Sequence, residues 1–252
     1  MARMSPDLQT LNPPMEIPRG ADYLFRGIAA VASVGMALAF LLYGTFGEAI
    51  TEGLDRACAE AQFEAGQKQA QLGNHESALL FYRNAMAGHF SDPDRQMLCG
   101  RAIGDLLYRL QRYDEAIAAY QALPPEAFAS SGAYTGYVSS LYHSGDLKAA
   151  RDQGEHWLKL ALVEQNTEQI VWARSILMRI AETEGREGEA LAHGAEILRL
   201  NPAADAALVT ARLLQRRGEH AEAVARLDAF LAASGNQKLL SEARRLRAQI
   251  AP

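Results

Sequence analysis

The side chains best able to do chemistry in this chain are dispersed. Its histidines stand at 75, 89, 143, 156, 193 and 220. No two are three or four residues apart, the spacing that brings two imidazoles onto one helix face to hold a metal. His75 and His220 fall at equivalent places in a recurring phrase and read as packing residues. Cys58 and Cys99 lack C-x-x-C spacing, which excludes the usual redox and zinc motifs and leaves their pairing open. There is no glycine-rich phosphate loop, no G-x-S-x-G and no H-E-x-x-H. No acid, base and nucleophile converge, so neither an enzyme nor a cofactor site is expected. With 25 basic against 30 acidic residues the net charge is -5, and no nucleic-acid partner is expected.

What the sequence has in quantity is framework. After residue 58, proline occurs only at 93, 124, 125, 202 and 252, between apolar stretches of helical period, so the region reads as all-α. One phrase recurs, a turn followed five residues later by alanine and then by further apolar residues. It appears as Leu72-Gly-Asn-His-Glu-Ser-Ala78, Leu110-Gln-Arg-Tyr-Asp-Glu-Ala116, Ser144-Gly-Asp-Leu-Lys-Ala-Ala150, Glu184-Gly-Arg-Glu-Gly-Glu-Ala190 and Arg217-Gly-Glu-His-Ala-Glu-Ala223. The five alanines are 38, 34, 40 and 33 residues apart. Such a period means stacked helical hairpins, each covering a neighbour's apolar face. Gly73, Gly145, Gly185 and Gly218 are placed to end first helices in a left-handed backbone conformation.

Arg112-Tyr-Asp-Glu-Ala-Ile-Ala-Ala-Tyr120 resembles the second helix of a tetratricopeptide repeat (TPR). Ile103-Gly104 is similar to the family's Leu-Gly pair and Leu200-Asn-Pro202 to its closing Asn-Pro, whereas Tyr137-Val138 departs from the pattern. The resemblance covers about residues 59–237 and is strongest in the second repeat. It implies a right-handed superhelical α-solenoid of about five hairpins, with a concave groove lined by the first helices. Carried over place by place, it puts Phe63 and Gln67 in that groove. Arg101, Asp105, Tyr108 and Arg109 follow, then Thr135, Ser139 and Tyr142, then Trp172, Ser175 and Arg179, and finally Arg212 and Arg216. Tyr, Trp and Arg are the residues that dominate protein interfaces, so the implied partner is a protein or an extended or helical peptide. Some relatives grip a terminal carboxylate with Lys and Asn, but Phe63 and Gln67 occupy the matching places here, which speaks against that mode.

The amino-terminal region is different in kind. Gly27 to Phe46 contains no charged residue, about 20 residues, the length of a membrane span. Tyr23, Phe25, Tyr43 and Phe46 stand at its ends, where aromatic rings favour the headgroup region. Arg3, Arg19 and Arg26 precede it, while Arg56 follows among Glu48, Glu52, Asp55 and Glu60. This predicts a cytoplasmic amino terminus and a periplasmic or extracytoplasmic array on an inner (plasma) membrane. Ala29, Ser33 and Ala37 form a small-residue face on which a membrane-protein partner helix would pack closely, with the lipid bilayer around it.

The expected organisation is therefore a flexible cytoplasmic tail at 1–22, a transmembrane helix at 23–46 and a linker at 47–58. The repeat array occupies 59–237. A capping helix at 238–252 follows, with Leu239, Leu240, Ala243, Leu246 and Ile250 on one face and charge on the other. The function expected of this layout is a membrane-anchored scaffold for complex assembly, secretion or envelope maintenance. The alternative is a structural accessory subunit of a larger membrane complex.

Overall fold

The computed structural model describes residues 19–250, with side chains from 31 onward except those of 42 and 45. The expected tail at 1–18 and the side chain of Ala29 lie outside the described residues, and residues 19–22 are helical. The chain separates into two compact units, 1–55 and 56–252. No strand occurs among the described residues.

In the first unit, Val31, Val34, Met36, Leu38, Phe40, Leu41, Tyr43 and Phe46 are exposed, as are Ser33 and Ala37. The structure departs here from one expectation. Residues 47–58 do not form a linker: they belong to the 53-residue helix α1 (Arg19–Gln71). The segment has no proline, and the Thr51 hydroxyl donates to the carbonyls of Gly47 and Glu48 instead of competing for backbone. Nor is a single spanning helix supported at 23–46. Among the described residues no single helix is long and apolar enough to cross a membrane, and Val31–Leu41 with Phe46–Gln71 meets the requirement only as a pair bent by 68°.

The second unit is a chain of hairpins. The end of α1 pairs with α2 (His75–Ala87), and α3 (Pro93–Arg109) pairs with α4 (Tyr113–Gln121). Two short 3-10 turns, Pro125–Phe128 and Ser131–Ala133, lead into α5 (Tyr134–Ser144), which pairs with α6 (Leu147–Val163). Then come α7 (Thr167–Thr183) with α8 (Glu187–Leu200), α9 (Ala206–Arg216) with α10 (His220–Ala233), and α11 (Gln237–Ile250) as the cap. That is five hairpins and a final helix, as the alanine spacing predicts.

Local chemistry sets these boundaries. Asp92 caps α3 through the Asp94 amide with Pro93 at its first position, and Asp146 and Asn166 cap α6 and α7 through the amides of Ala149 and Gln169. Gly73, Gly145, Gly185 and Gly218 all have positive φ. After three of them the next amide closes the turn onto a carbonyl five residues back, as in Arg186 N to Ala181 O at 2.8 Å and Glu219 N to Leu214 O at 2.8 Å. In the second repeat Gln111 takes the left-handed position, at φ 59°.

The apolar interior is divided into several clusters strung along the array. One gathers Phe63, Tyr82, Cys99, Leu107 and Tyr120, another Met178, Ile197 and Leu213, and a third Leu214, Leu227, Phe230 and Leu246. Each joins consecutive hairpins, the arrangement of a repeat solenoid. Burial raises the Cys99 thiol to about 12, while Cys58 is exposed, and both are free.

Candidate protein-binding groove

The groove positions sort into three environments. Phe63 is 5% exposed and is a core residue: its ring meets Tyr82 at 5.6 Å and Phe90 at 6.0 Å, and the Arg95 guanidinium lies over it. The segment joining α2 to α3 has folded Phe90 across the place that would have opened into a groove. Ser139, 6% exposed, is likewise interior. Gln67, Arg109 and Trp172 are exposed.

Asp105 belongs to a joint between repeats. It accepts a hydrogen bond from the Tyr120 hydroxyl. The Tyr120 ring in turn rests on the bare backbone of Gly104, where an added Cβ would lie 2.7 Å from ring carbons. Gly136 of α5 closes over the same hydroxyl and carboxylate, with no room for a side chain. Burial raises the Asp105 pKa against the opposing effects of the Tyr120 bond and of Arg101 and Arg109, and it pushes the Tyr120 phenol up as well.

Three of the predicted arginines are tied to carboxylates of the neighbouring repeat or the cap: Arg179 to Asp205 at 3.3 Å, Arg212 to Glu242, and Arg216 to Glu182 and Glu187. The three arginine side chains are about half exposed in these pairs. Arg101 is half-buried and stands beside Met97, Leu98 and Ala127 in a pocket of about 320 Å³. Tyr108 and Tyr142 are half-buried and converge on His143, at ring distances of 6.1 and 5.2 Å, while Tyr113 stacks on the same imidazole at 5.0 Å.

Leu98 and His143 are absent from the sequence-derived set. The signal for Leu98 was present: it precedes Trp172 by the sum of two repeat spacings, so both hold the same register position, with Gly132 between them. Leu98 is 47% and Trp172 45% exposed, and Leu72, Leu80, Leu162 and Val163 elsewhere on the array are more exposed still.

Neither a protein-family model nor a curated protein matches the chain. Solved structures do. YrrB, described as a TPR protein with an unusual peptide-binding site, is similar at 19% identity and a TM-score of 0.58, over 79% of this chain and 97% of that one. MamA is similar at 16% identity and 0.59, over 77% and 96%, and PilF of Pseudomonas aeruginosa at 18% and 0.58, over 78% and 90%. The array has the TPR fold.

Within that TPR frame the roles separate. Alanines 78, 116, 150, 190 and 223 are all fully buried, where a small side chain lets helices approach. Asp105, Ser139, Arg179 and Arg212 hold one register position on α3, α5, α7 and α9, and three of the four are used to join repeats. Of the other groove positions, Gln67, Arg109 and Trp172 are exposed and Arg101, Tyr108 and Tyr142 half-buried, and Leu98 and His143 are exposed as well. Among the described residues, no group of three or more His, Cys, Asp or Glu is arranged to hold a metal ion.

Proposed function

We propose that this chain is a membrane-anchored TPR scaffold that captures a protein or peptide segment along its first helices, holding it for assembly of an envelope complex. The observation that carries the reading is the pair of exposed apolar residues Leu98 and Trp172 at one register position on first helices, together with Tyr108 of α3 and Tyr142 of α5, which converge on His143. Broad apolar side chains with polar edges are the usual anchors of peptide interfaces. That YrrB has a peptide-binding site on the same fold supports it. The anchor rests on the uncharged run at 27–46, and the extracytoplasmic placing of the array on Arg3, Arg19 and Arg26 ahead of that run.

The test is quantitative capture of crosslinked partners from membranes by the full-length protein. Trp172→Ala and Tyr142→Ala are each expected to weaken capture by about 1–3 kcal/mol with helicity unchanged, while Arg244→Ala on α11 has no effect. Variants that melt early yet capture fully would make these residues packing elements. Orientation is checked with a phosphatase fused after Pro252, which is expected to be active. An inactive fusion, with a cytoplasmic reporter working in its place, reverses the topology.

A further inference from the structure

The carboxyl-terminal helix does more than close the core. Its apolar face, Leu240, Ala243, Leu246 and Ile250, packs into the last cluster. The face beside that stripe turns toward α9 and forms one wall of an open pocket of about 390 Å³. Arg212 of α9 stands on one side, Lys238, Ser241, Glu242 and Arg245 of α11 on the other, and Leu246 forms part of the floor. Lys238 and Arg245 are seven residues apart, two helical turns, and so project from one face.

The charge balance of this pocket is one-sided. Glu242 is its acidic residue and is engaged by Arg212. Lys238 and Arg245 make no ion pair among the described residues, although the protein as a whole is acidic at -5. Arg247, in contrast, is neutralised by Asp228 from α10. Two unpaired cations, a hydroxyl and a third cation shared with a carboxylate therefore face one concave space. Its volume is within the range of roughly 300–1,000 Å³ in which ligand groups are held. Arg212 holds the same register position as Asp105, Ser139 and Arg179, so the pocket opens on the side of the array that carries the groove.

We infer that this pocket between α9 and α11 receives carboxylate side chains of an acidic peptide segment, so that the captured partner joins an apolar stretch, seated near Leu98 and Trp172, to an acidic one. The inference rests on the groove proposed above, and adds to it the partner's charge and direction. Lys and Arg facing carboxylates across an open pocket contribute chiefly selectivity and association rate, and their contribution falls with salt.

The experiment uses the full-length protein in mild detergent and a fluorescein-labelled peptide of about twelve residues alternating Glu and Ala, with a Gln/Ala peptide as control, read by anisotropy. Lys238→Glu combined with Arg245→Glu is expected to weaken binding of the Glu peptide by roughly tenfold at low salt. Arg244→Glu reverses one charge, as Lys238→Glu or Arg245→Glu alone does, but on the exposed face away from the pocket, and is expected to leave binding within about twofold. Glu242→Gln, which removes the pocket's competing carboxylate, is expected to tighten binding, an effect that simple destabilisation would not produce. Equal losses for Arg244→Glu and for the pocket variants, equal binding of the Gln peptide, or binding to anionic-lipid vesicles that the Glu peptide does not displace would each overturn the inference. If the pocket variants leave peptide binding intact while Trp172→Ala reduces partner capture, the groove stands and the pocket fails. The reverse pattern removes the groove and keeps the pocket.

Discussion

At the scale of single residues, the joint at Asp105, Tyr120 and Gly136 links α3, α4 and α5 with three side-chain choices. The Tyr120 ring has no freedom to move aside, because it lies against Gly104, and its hydroxyl lies where a Gly136 side chain would begin. Gly136→Ala is therefore expected to destabilise the array by about 1–3 kcal/mol through overpacking. Tyr120→Phe removes the offending oxygen but leaves Asp105 without its donor, itself a loss of about 1–3 kcal/mol. The two changes should compensate in part, because each occupies or vacates the same space. A double-mutant cycle by urea denaturation measures this, and strictly additive losses would mean that the alanine is accommodated by backbone movement instead.

His193 gives a pH dependence of defined sign. Burial lowers its pKa, and Arg174 of α7 and Arg186, just before α8, add to that, against Glu189 of α8 and Glu155 of α6. Its Nδ1 and the Nε of Arg174 are both buried without a hydrogen-bond partner. The unfolded chain takes up the proton near the ordinary histidine value of about 6.5, and the folded chain resists it. The stability His193 leaves intact above that value should thus decline as pH falls toward the lower folded value. Comparing His193→Gln with the parent at pH 7.5 and 5.5 isolates the effect: the variant should lose less stability on acidification, and equal losses would place the acid sensitivity elsewhere.

At the scale of elements, the alanine period was legible because an alanine buried between helices has no substitute of similar size, so the repeat marks itself. The turns were legible for a related reason: left-handed backbone strongly favours glycine. Gln111 and Gln165 evade that signal at φ 59° and 53°. The Gln165 turn joins α6 to α7, so consecutive hairpins meet there through the kind of turn usually found inside one. A spacing of 34 residues from Ala116 to Ala150 also conceals irregularity. Pro124 and Pro125 stop α4 after nine residues, and two 3-10 turns use the remaining chain. Site residues were less legible than elements, because register fixes which way a first-helix residue points but not what covers it. Phe63 shows this, since Phe90 arrives from outside the repeat phrase. Arg179 and Arg212 show it differently: their carboxylate partners lie in another repeat and in the cap. The α1 helix was misdivided because residues 47–58 contain no local stop, and charge alone does not end a helix.

At the scale of the whole array, division of the core into successive clusters makes stability a chain of nearest-neighbour terms. Gly194 of α8 tests this, since it sits where the fourth hairpin meets the fifth. A Cβ there would overlap the Thr210 methyl group of α9. Thr210 cannot readily rotate away, because its hydroxyl donates to the carbonyls of Ala206 and Ala207, at 2.9 and 3.1 Å, on its own helix. Gly194→Ala should therefore loosen one interface by about 1–3 kcal/mol while leaving those before it unchanged. Across that interface α9 is held to α7 and α8 by Ala206 and Leu213 in one cluster, while α10 and α11 share a second cluster with α9, and the ion pairs of Arg179 and Arg216 cross as well. Exposed pairs contribute only about 0.2–1 kcal/mol each, too little to offset the loss. Amide hydrogen exchange on the full-length protein should consequently speed up across α9 to α11 and stay unchanged across α3 to α6. The charged pocket between α9 and α11 lies wholly in the loosened segment, so Glu-peptide binding should weaken in the same variant. Acceleration spread evenly over all the repeats would instead mean that the array unfolds as one cooperative block, with coupling between hairpins stronger than their separate clusters imply.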